Sequence, residues 1–373
     1  MPPLNILIKP VSGACNLRCR YCFYTDVAEK RIQQNYGIMT EETLDVIVRK
    51  ALEYGDSYVG FAFQGGEPTI AGLDFYRRLM ELEAKYNRKG LRIGNAIQTN
   101  GILIDAEWAR FFAENQFLVG LSLDGPKEIH DLNRIDFRDK GSYNQVMKTV
   151  HLFNQYHVEY NILSVVSKLV ARHIEQVYNF FMKQGFSYLQ FIPCLDGLGE
   201  EPGQNPYSLT PQVYGDCLKR LFDLWYRDIQ KGRRISIRMF DNILQILLGM
   251  RPESCDMNGY CTANMIIEAD GSVYPCDFYV IDQWKTGSIL EQDIAELLQG
   301  EKAQAFTEVS HAIALQCREC EYFGVCRGGC RRHYEPIDGA ITGENYFCPA
   351  YREFYQATLP RFCELAQRIK AGV

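Results

Sequence analysis

Asn5-Ile-Leu-Ile-Lys-Pro-Val11 is followed, after Ser-Gly-Ala, by Cys15-Asn-Leu-Arg-Cys19-Arg-Tyr-Cys22. The first run has the length and apolar content of a buried strand, and it leads straight into closely spaced cysteines. Five further β-rich apolar runs follow, at Tyr58–Gln64, Arg92–Thr99, Phe117–Leu123, Glu159–Ser167 and Tyr188–Cys194. Between them lie amphipathic helical stretches at Glu41–Tyr54, Leu73–Tyr86, Ala106–Asn115, Tyr143–Tyr156 and His173–Lys183. Gly, Asn or Asp punctuates most junctions, as helix ends and turns require. Strand–helix alternation predicts parallel strands with crossover helices, and strands apolar on both faces suit a covered parallel sheet. The class is therefore α/β. Six such units are too few for an eight-stranded closed barrel, so the expectation is an open, partial (β/α)6 barrel.

In such folds the chemistry gathers at the C-terminal ends of the strands. The unusual residues of this chain fall there: Cys15–Cys22 after the first strand, Gln64–Pro68 after the second, Thr99–Gly101 after the third. Ser122–Pro126 follows the fourth and Pro193–Asp196 the sixth. That coincidence points to an enzyme.

Composition bounds the setting. The 373 residues are 47% hydrophobic and 23% charged, an ordinary soluble make-up with room for more than one domain. A net charge of −6 argues against a nucleic-acid or anionic-membrane partner. No apolar run reaches the ~20 residues of a membrane span. Met1–Pro10 has no signal-peptide stretch, with Lys9 where the apolar core of one would lie, so a cytoplasmic location is expected. Fourteen cysteines in a reducing compartment read as metal ligands before disulfides.

Past the last strand, residues 197–210 read as a connecting loop, followed by helices at about Pro211–Gln230 and Phe240–Gly249. The pattern then turns cysteine- and glycine-rich from Cys255 to Cys348. Met265–Glu268 and Gly271–Tyr274 suggest a hairpin. Tyr351–Lys370 closes the chain as a helix. The expected division is a barrel with its connecting segment over 1–235, a cysteine-rich domain over 236–348 and a C-terminal helix over 349–373.

Cys15, Cys19 and Cys22 form a C-x3-C-x2-C loop. Three thiolates can hold three corners of a 4Fe–4S cube and leave one iron open, whereas structural clusters take four cysteines. A zinc knuckle is the alternative, but no nearby histidine completes it. The loop resembles the signature of the radical S-adenosylmethionine superfamily, including an aromatic residue, Tyr21, before the last cysteine. The resemblance implies that S-adenosylmethionine chelates the open iron and is cleaved to a 5′-deoxyadenosyl radical. Gln64-Gly65-Gly66-Glu67-Pro68 is similar to the superfamily's GGEP motif, which meets the methionine amino group. Paired glycines allow such close backbone approach, and Glu67 can orient the ligand. By the same resemblance Ser122 and Arg134 bind the cofactor's carboxylate and Leu195 contacts adenine. A planar guanidinium suits the carboxylate.

Eight cysteines lie downstream: Cys255, Cys261, Cys276, Cys317, Cys320, Cys326, Cys330 and Cys348. Eight thiolates suffice for two further 4Fe–4S clusters or for two structural zincs. Their order resembles the SPASM extension of peptide- and protein-modifying radical enzymes. That resemblance implies one auxiliary cluster on Cys255, Cys261, Cys276 and Cys330, and another on Cys317, Cys320, Cys326 and Cys348. On spacing alone Cys326 and Cys330 could trade places. The implied total is three 4Fe–4S clusters.

The whole chain is similar to the anaerobic sulfatase-maturating enzymes, through Ile8-Lys9-Pro10, Ala62-Phe63-Gln64-Gly65-Gly66, Gln98-Thr99-Asn100-Gly101 and Asp270–Tyr279. That family oxidises a cysteine or serine of a sulfatase to Cα-formylglycine. The resemblance implies Asp277 as the base, Tyr24 and Gln64 as hydrogen-bonding partners of the substrate or of Asp277, and an auxiliary cluster as electron acceptor. The implied partners are a sulfatase polypeptide with a Cys/Ser-x-Pro-x-Arg motif and a low-potential donor of the flavodoxin or ferredoxin type. The alternatives are another SPASM-type maturase, for example a thioether-forming one, and a non-catalytic electron carrier. A first strand starting at residue 5 leaves no room for the peptide-binding domain common in the former. The carrier leaves the open cysteine loop without a purpose.

Overall fold

The computed structural model of the chain describes residues 3–334 and 343–372. They fall into two units. The first comprises Met1–Ser122, Arg134–Tyr160 and Ala263–Phe306, and the second Leu123–Asn133, Asn161–Thr262 and Thr307–Val373.

In the first unit, strands Leu4–Ile8, Tyr58–Phe63, Arg92–Thr99 and Leu118–Ser122 lie side by side and parallel, with Leu4 opposite Val59 and Tyr58 opposite Arg92. The crossover helices Glu41–Tyr54 and Leu73–Tyr86 start and stop where the sequence pattern places them. Thr40 caps the former, its hydroxyl accepting from Thr43 N, and Leu44, Ile47, Val48, Ala51 and Leu52 form its buried stripe. The first strand stops at Ile8, short of the expected Val11, because Pro10 has no N–H to extend a ladder.

The hairpin forms from Met265–Ile267 and Ser272–Tyr274, with Ile266 opposite Tyr274 and Gly271 at φ +84° in the turn. Its placement was not expected. Met265–Ile267 also pairs in parallel with Leu4–Ile8, Ile6 facing Met265, so the hairpin continues the barrel strands' sheet. Gly287–Ser288 adds antiparallel to Ser272–Tyr274 at its edge. A helix at Phe23–Glu29, directly after Cys22, was also not expected.

In the second unit Tyr160–Val166, Tyr188–Pro193 and Ser236–Ile237 are parallel neighbours. Helices Pro211–Gln230 and Cys348–Lys370 pack together through aromatic rings, Phe222 lying 4.6 Å from Phe362 and 6.3 Å from Phe354 between centroids. The latter helix starts three residues before the expected Tyr351; Pro349 fits its first turn, where the missing N–H costs nothing. Among the described residues no helix is long and apolar enough to cross a membrane.

Candidate active site

Within the first unit, the cysteine loop joins the first strand to helix Phe23–Glu29. All three of its thiols are half-buried, and Cys22 stands at the helix N-cap. Cys15 Sγ accepts hydrogen bonds from Leu17 N at 3.4 Å and Asn100 Nδ2 at 3.7 Å. Burial pushes the Cys15 thiol up to about 12, so an adjacent metal cation is what would hold it as thiolate. Among the described residues no three His, Cys, Asp or Glu converge on a single ion. A cubane makes a different demand, since each thiolate binds its own iron.

The glycine turn beside this loop leaves no space for side chains. Gly65 and Gly66 sit at φ +97° and +55°; a Cβ on Gly66 would come 2.2 Å from Ala14 O, and one on Gly65 2.5 Å from Lys9 Cε. Glu67 is buried, and its carboxylate is engaged inside the protein. Oε1 accepts from Thr69 Oγ1 at 2.6 Å and Thr99 Oγ1 at 2.7 Å, and Oε2 from Asn100 N at 2.7 Å. Glu67 therefore braces the glycine turn against the end of the third strand.

Ser122, at the end of its strand, accepts from Gln98 Nε2 at 3.1 Å. The buried Arg134 guanidinium lies 5.6 Å from the Tyr21 ring centroid, a cation–π distance.

Asp277 opens a turn just after Cys276. Its Oδ2 accepts from Tyr24 OH at 2.5 Å and Gln64 Nε2 at 3.4 Å; Gln64 Nε2 also donates to Tyr24 OH at 2.6 Å. Three residues expected together on resemblance are thus one cluster. Below it lies a charge pair network the sequence reading missed. Lys9 Nζ stands 3.8 Å from Asp277 Oδ1, 3.4 Å from Glu268 Oε1 and 4.7 Å from the Tyr24 ring centroid. Arg31 Nη1 donates to Glu268 Oε1 at 2.5 Å. Burial pushes the Asp277 carboxyl above its ordinary value, and Lys9 and Tyr24 only partly offset that. Burial would raise Glu268 too, but Lys9 and Arg31 outweigh it and hold that carboxyl low. Burial and the neighbouring Asp277 push the Tyr24 hydroxyl far up, so it remains a donor. The signal for this network was visible: charged residues set against apolar strands at Ile8-Lys9 and Ile267-Glu268 need buried partners.

The second unit holds most of the remaining candidates. Cys317, Cys320, Cys326 and Cys348 line one open pocket together with Tyr322, Phe323, Tyr351 and Tyr355. Cys330 is not in that lining. Cys261 N donates to Ser310 Oγ at 2.8 Å, while Cys255 is exposed. Cys276 belongs to the first unit. Leu195, with Cys194 and Asp196, lines a second open pocket that includes Arg332, whose Nη2 donates to Asp196 O at 2.5 Å.

Residues 10–181 match the Radical SAM superfamily, and residues 255–321 match SPASM, an iron–sulfur cluster-binding domain. A cysteine-type anaerobic sulfatase-maturating enzyme of Clostridium perfringens (strain 13 / Type A) is 48% identical over 370 residues, 99% of this chain and 100% of that one. The chain belongs to the anaerobic sulfatase-maturating enzymes. The serine-type sulfatase-maturating enzyme of Bacteroides thetaiotaomicron is 34% identical over 380 residues, 96% of this chain and 90% of that one. The solved structure of native anSMEcpe with bound AdoMet and Cp18Cys peptide has a TM-score of 0.95 at 48% identity, covering 99% of this chain and 100% of that one. The expected fold class holds: mixed α/β with a parallel sheet of the radical SAM type, a cysteine-rich region and a long C-terminal helix. The enzyme's cofactors are S-adenosylmethionine and iron–sulfur clusters.

Proposed function

We propose that this sulfatase-maturating enzyme oxidises a cysteine, in preference to a serine, of a sulfatase polypeptide to Cα-formylglycine. The preference rests on identity: 48% to the cysteine-type relative against 34% to the serine-type one, each over nearly the whole chain. The observation that carries the chemistry is Asp277. One of its oxygens is held by Tyr24 and Gln64, while Oδ1 is buried without a hydrogen bond.

Cys15, Cys19 and Cys22 hold the cluster that receives S-adenosylmethionine. Gly65 and Gly66 admit the methionine amino group, Arg134 and Ser122 take its carboxylate, Tyr21 supports the Arg134 guanidinium, and Leu195 contacts adenine. When bound, these groups supply a 5′-deoxyadenosyl radical that removes a Cβ hydrogen from the target residue. Asp277 takes the thiol proton, its Oδ2 held by Tyr24 and Gln64 and its Oδ1 set beside Lys9 Nζ.

Two auxiliary clusters would complete the set and would supply an acceptor for the remaining electron; loss of the Cβ hydrogen, the thiol proton and that electron leaves a thioaldehyde, which water hydrolyses to the aldehyde with release of hydrogen sulfide. Cys317, Cys320, Cys326 and Cys348 hold one, a grouping supported by their shared pocket; Cys255, Cys261, Cys276 and Cys330 hold the other. The three-part division at 1–235, 236–348 and 349–373 follows these roles. A flavodoxin- or ferredoxin-type protein supplies low-potential electrons. Anaerobically reconstituted enzyme is then expected to carry about twelve irons per chain. About four irons, or stoichiometric zinc, would refute the auxiliary pair.

The test is incubation of the reduced enzyme with S-adenosylmethionine and matched peptides carrying Cys-x-Pro-x-Arg or Ser-x-Pro-x-Arg. Mass spectrometry is expected to find the aldehyde on the cysteine peptide, formed faster than on the serine one. An unmodified cysteine peptide, or a crosslinked one, would overturn the proposal.

A further inference from the structure

Asn100 has no role in the chemistry above, yet its side chain reaches the cysteine loop from the end of the third strand. It is buried, and the orientation of its amide is determined by three contacts. Oδ1 accepts from Ile102 N at 3.0 Å, which turns Nδ2 the other way, towards Asn16 Oδ1 at 2.7 Å and Cys15 Sγ at 3.7 Å. Its backbone N–H is independently tied to Glu67 Oε2 at 2.7 Å. The side chain is therefore held on a strand end that the Glu67 network keeps rigid, with its donor aimed at one sulfur. Only one other donor approaches Cys15 Sγ among the hydrogen bonds of the described residues, the N–H of Leu17 at 3.4 Å.

We infer that Asn100 is a positioning residue that raises the reduction potential of the cluster on the Cys15–Cys22 loop by donating a hydrogen bond to Cys15 Sγ. This rests on the reading that Cys15 is a cluster ligand. Reduction adds one negative charge to the cluster, and part of that charge resides on the thiolate sulfurs. A hydrogen bond to such a sulfur stabilises the reduced form more than the oxidised form, because the bond strengthens with the acceptor's charge. An amide fixed before the cluster binds pays no reorganisation cost when the electron arrives. A buried, partly desolvated site magnifies the effect. The consequence is functional: a cluster too low in potential is not reduced by its donor, and one too high does not cleave the sulfonium.

The test uses the full chain with clusters reconstituted. Asn100→Leu keeps the side chain's shape and deletes the donor, and the backbone bond to Glu67 remains available. Electron paramagnetic resonance during a redox titration follows the signal that changes on adding S-adenosylmethionine, which marks the cluster with the open iron. The expected result is a more negative midpoint with iron content unchanged. The reduced-to-oxidised ratio at fixed poise should fall by about tenfold, which is 59 mV for a one-electron couple. Asn100→Ala, which lacks the bulk as well, should shift the midpoint in the same direction. An unchanged midpoint in iron-replete variants overturns the inference. So does iron loss in both, since Asn100 would then hold the loop's shape and no more. Cys15→Ala separates this from failure of the underlying reading: if that variant keeps the responsive signal and full iron, the ligand assignment itself is wrong.

Discussion

Lys9 Nζ and Asp277 Oδ1 stand 3.8 Å apart, in a site where the lysine side chain is 3% exposed and the aspartate 14%. The contact exists because the hairpin carrying Glu268 pairs with the first strand. Lys9 N donates to Ile267 O at 2.8 Å, which sets Lys9 beside Glu268 and within reach of the turn after Cys276. A buried ammonium between two carboxylates needs both, and Glu268 needs Arg31 besides.

Arg31→Met is therefore expected to cost about 3–5 kcal/mol of stability, the usual penalty for removing one partner of a buried ion pair. The 2.5 Å contact with Glu268 would be lost, leaving that carboxylate with Lys9 at 3.4 Å. Denaturant unfolding of wild type and variant side by side measures it. A difference under about 1 kcal/mol, the range of exposed pairs, would mean that the pair is hydrated in solution.

Glu83 supplies a pH signature. Burial between helix Leu73–Tyr86 and the third strand pushes its carboxyl up from 4.5 to about 7, with the Asn95 amide at 3.3 Å pulling slightly the other way. The folded state then binds a proton more tightly than the unfolded one. Its penalty is absent below the unfolded value, grows as pH rises from about 4.5 to about 7, and is constant above. Glu83→Gln should stabilise the protein by on the order of 3 kcal/mol at about pH 8 and by about 1 kcal/mol at about pH 5.5. Melting curves at the two pH values decide it; an equal effect at both would show that Glu83 titrates normally.

Arg134→Ala is expected to weaken S-adenosylmethionine binding by about 1.5–3 kcal/mol while leaving iron content unchanged, the loss of one charge-assisted hydrogen bond. Equilibrium binding to iron-replete enzyme checks this. Unaltered affinity would leave the guanidinium with its cation–π contact to Tyr21 and no ligand role.

Much of this was legible in the sequence where local chemistry decides the outcome. Helix Glu41–Tyr54 has a threonine cap, a 3.6-residue apolar stripe and a glycine stop, and it appears with those bounds. The glycine turn was readable because paired glycines after a strand mark a close backbone approach, and in the structure a Cβ on Gly66 would come 2.2 Å from Ala14 O. What could not be read depends on which distant strands meet. Met265–Ile267 carries the apolar pattern of any short strand, and nothing local says that it pairs with Leu4–Ile8. Lys9, Arg31 and Glu268 are brought together only by that pairing. The partners that hold the Glu67 carboxylate, Thr99 and Asn100, likewise arrive from another strand.

The most direct measurement is made on Asp277→Asn, a variant that preserves side-chain shape and removes most of its proton affinity. Deoxyadenosine and formylglycine are quantified from the same reaction, with a cysteine peptide under identical reduction. On the proposed assignment radical generation draws on the Cys15–Cys22 loop and not on Asp277, so deoxyadenosine release is expected to persist. Formylglycine should fall by ~10²–10⁴-fold, the usual loss on removing a general base. Formylglycine at wild-type yield, or both products falling in parallel, would contradict the assignment of Asp277 as the residue that takes the proton.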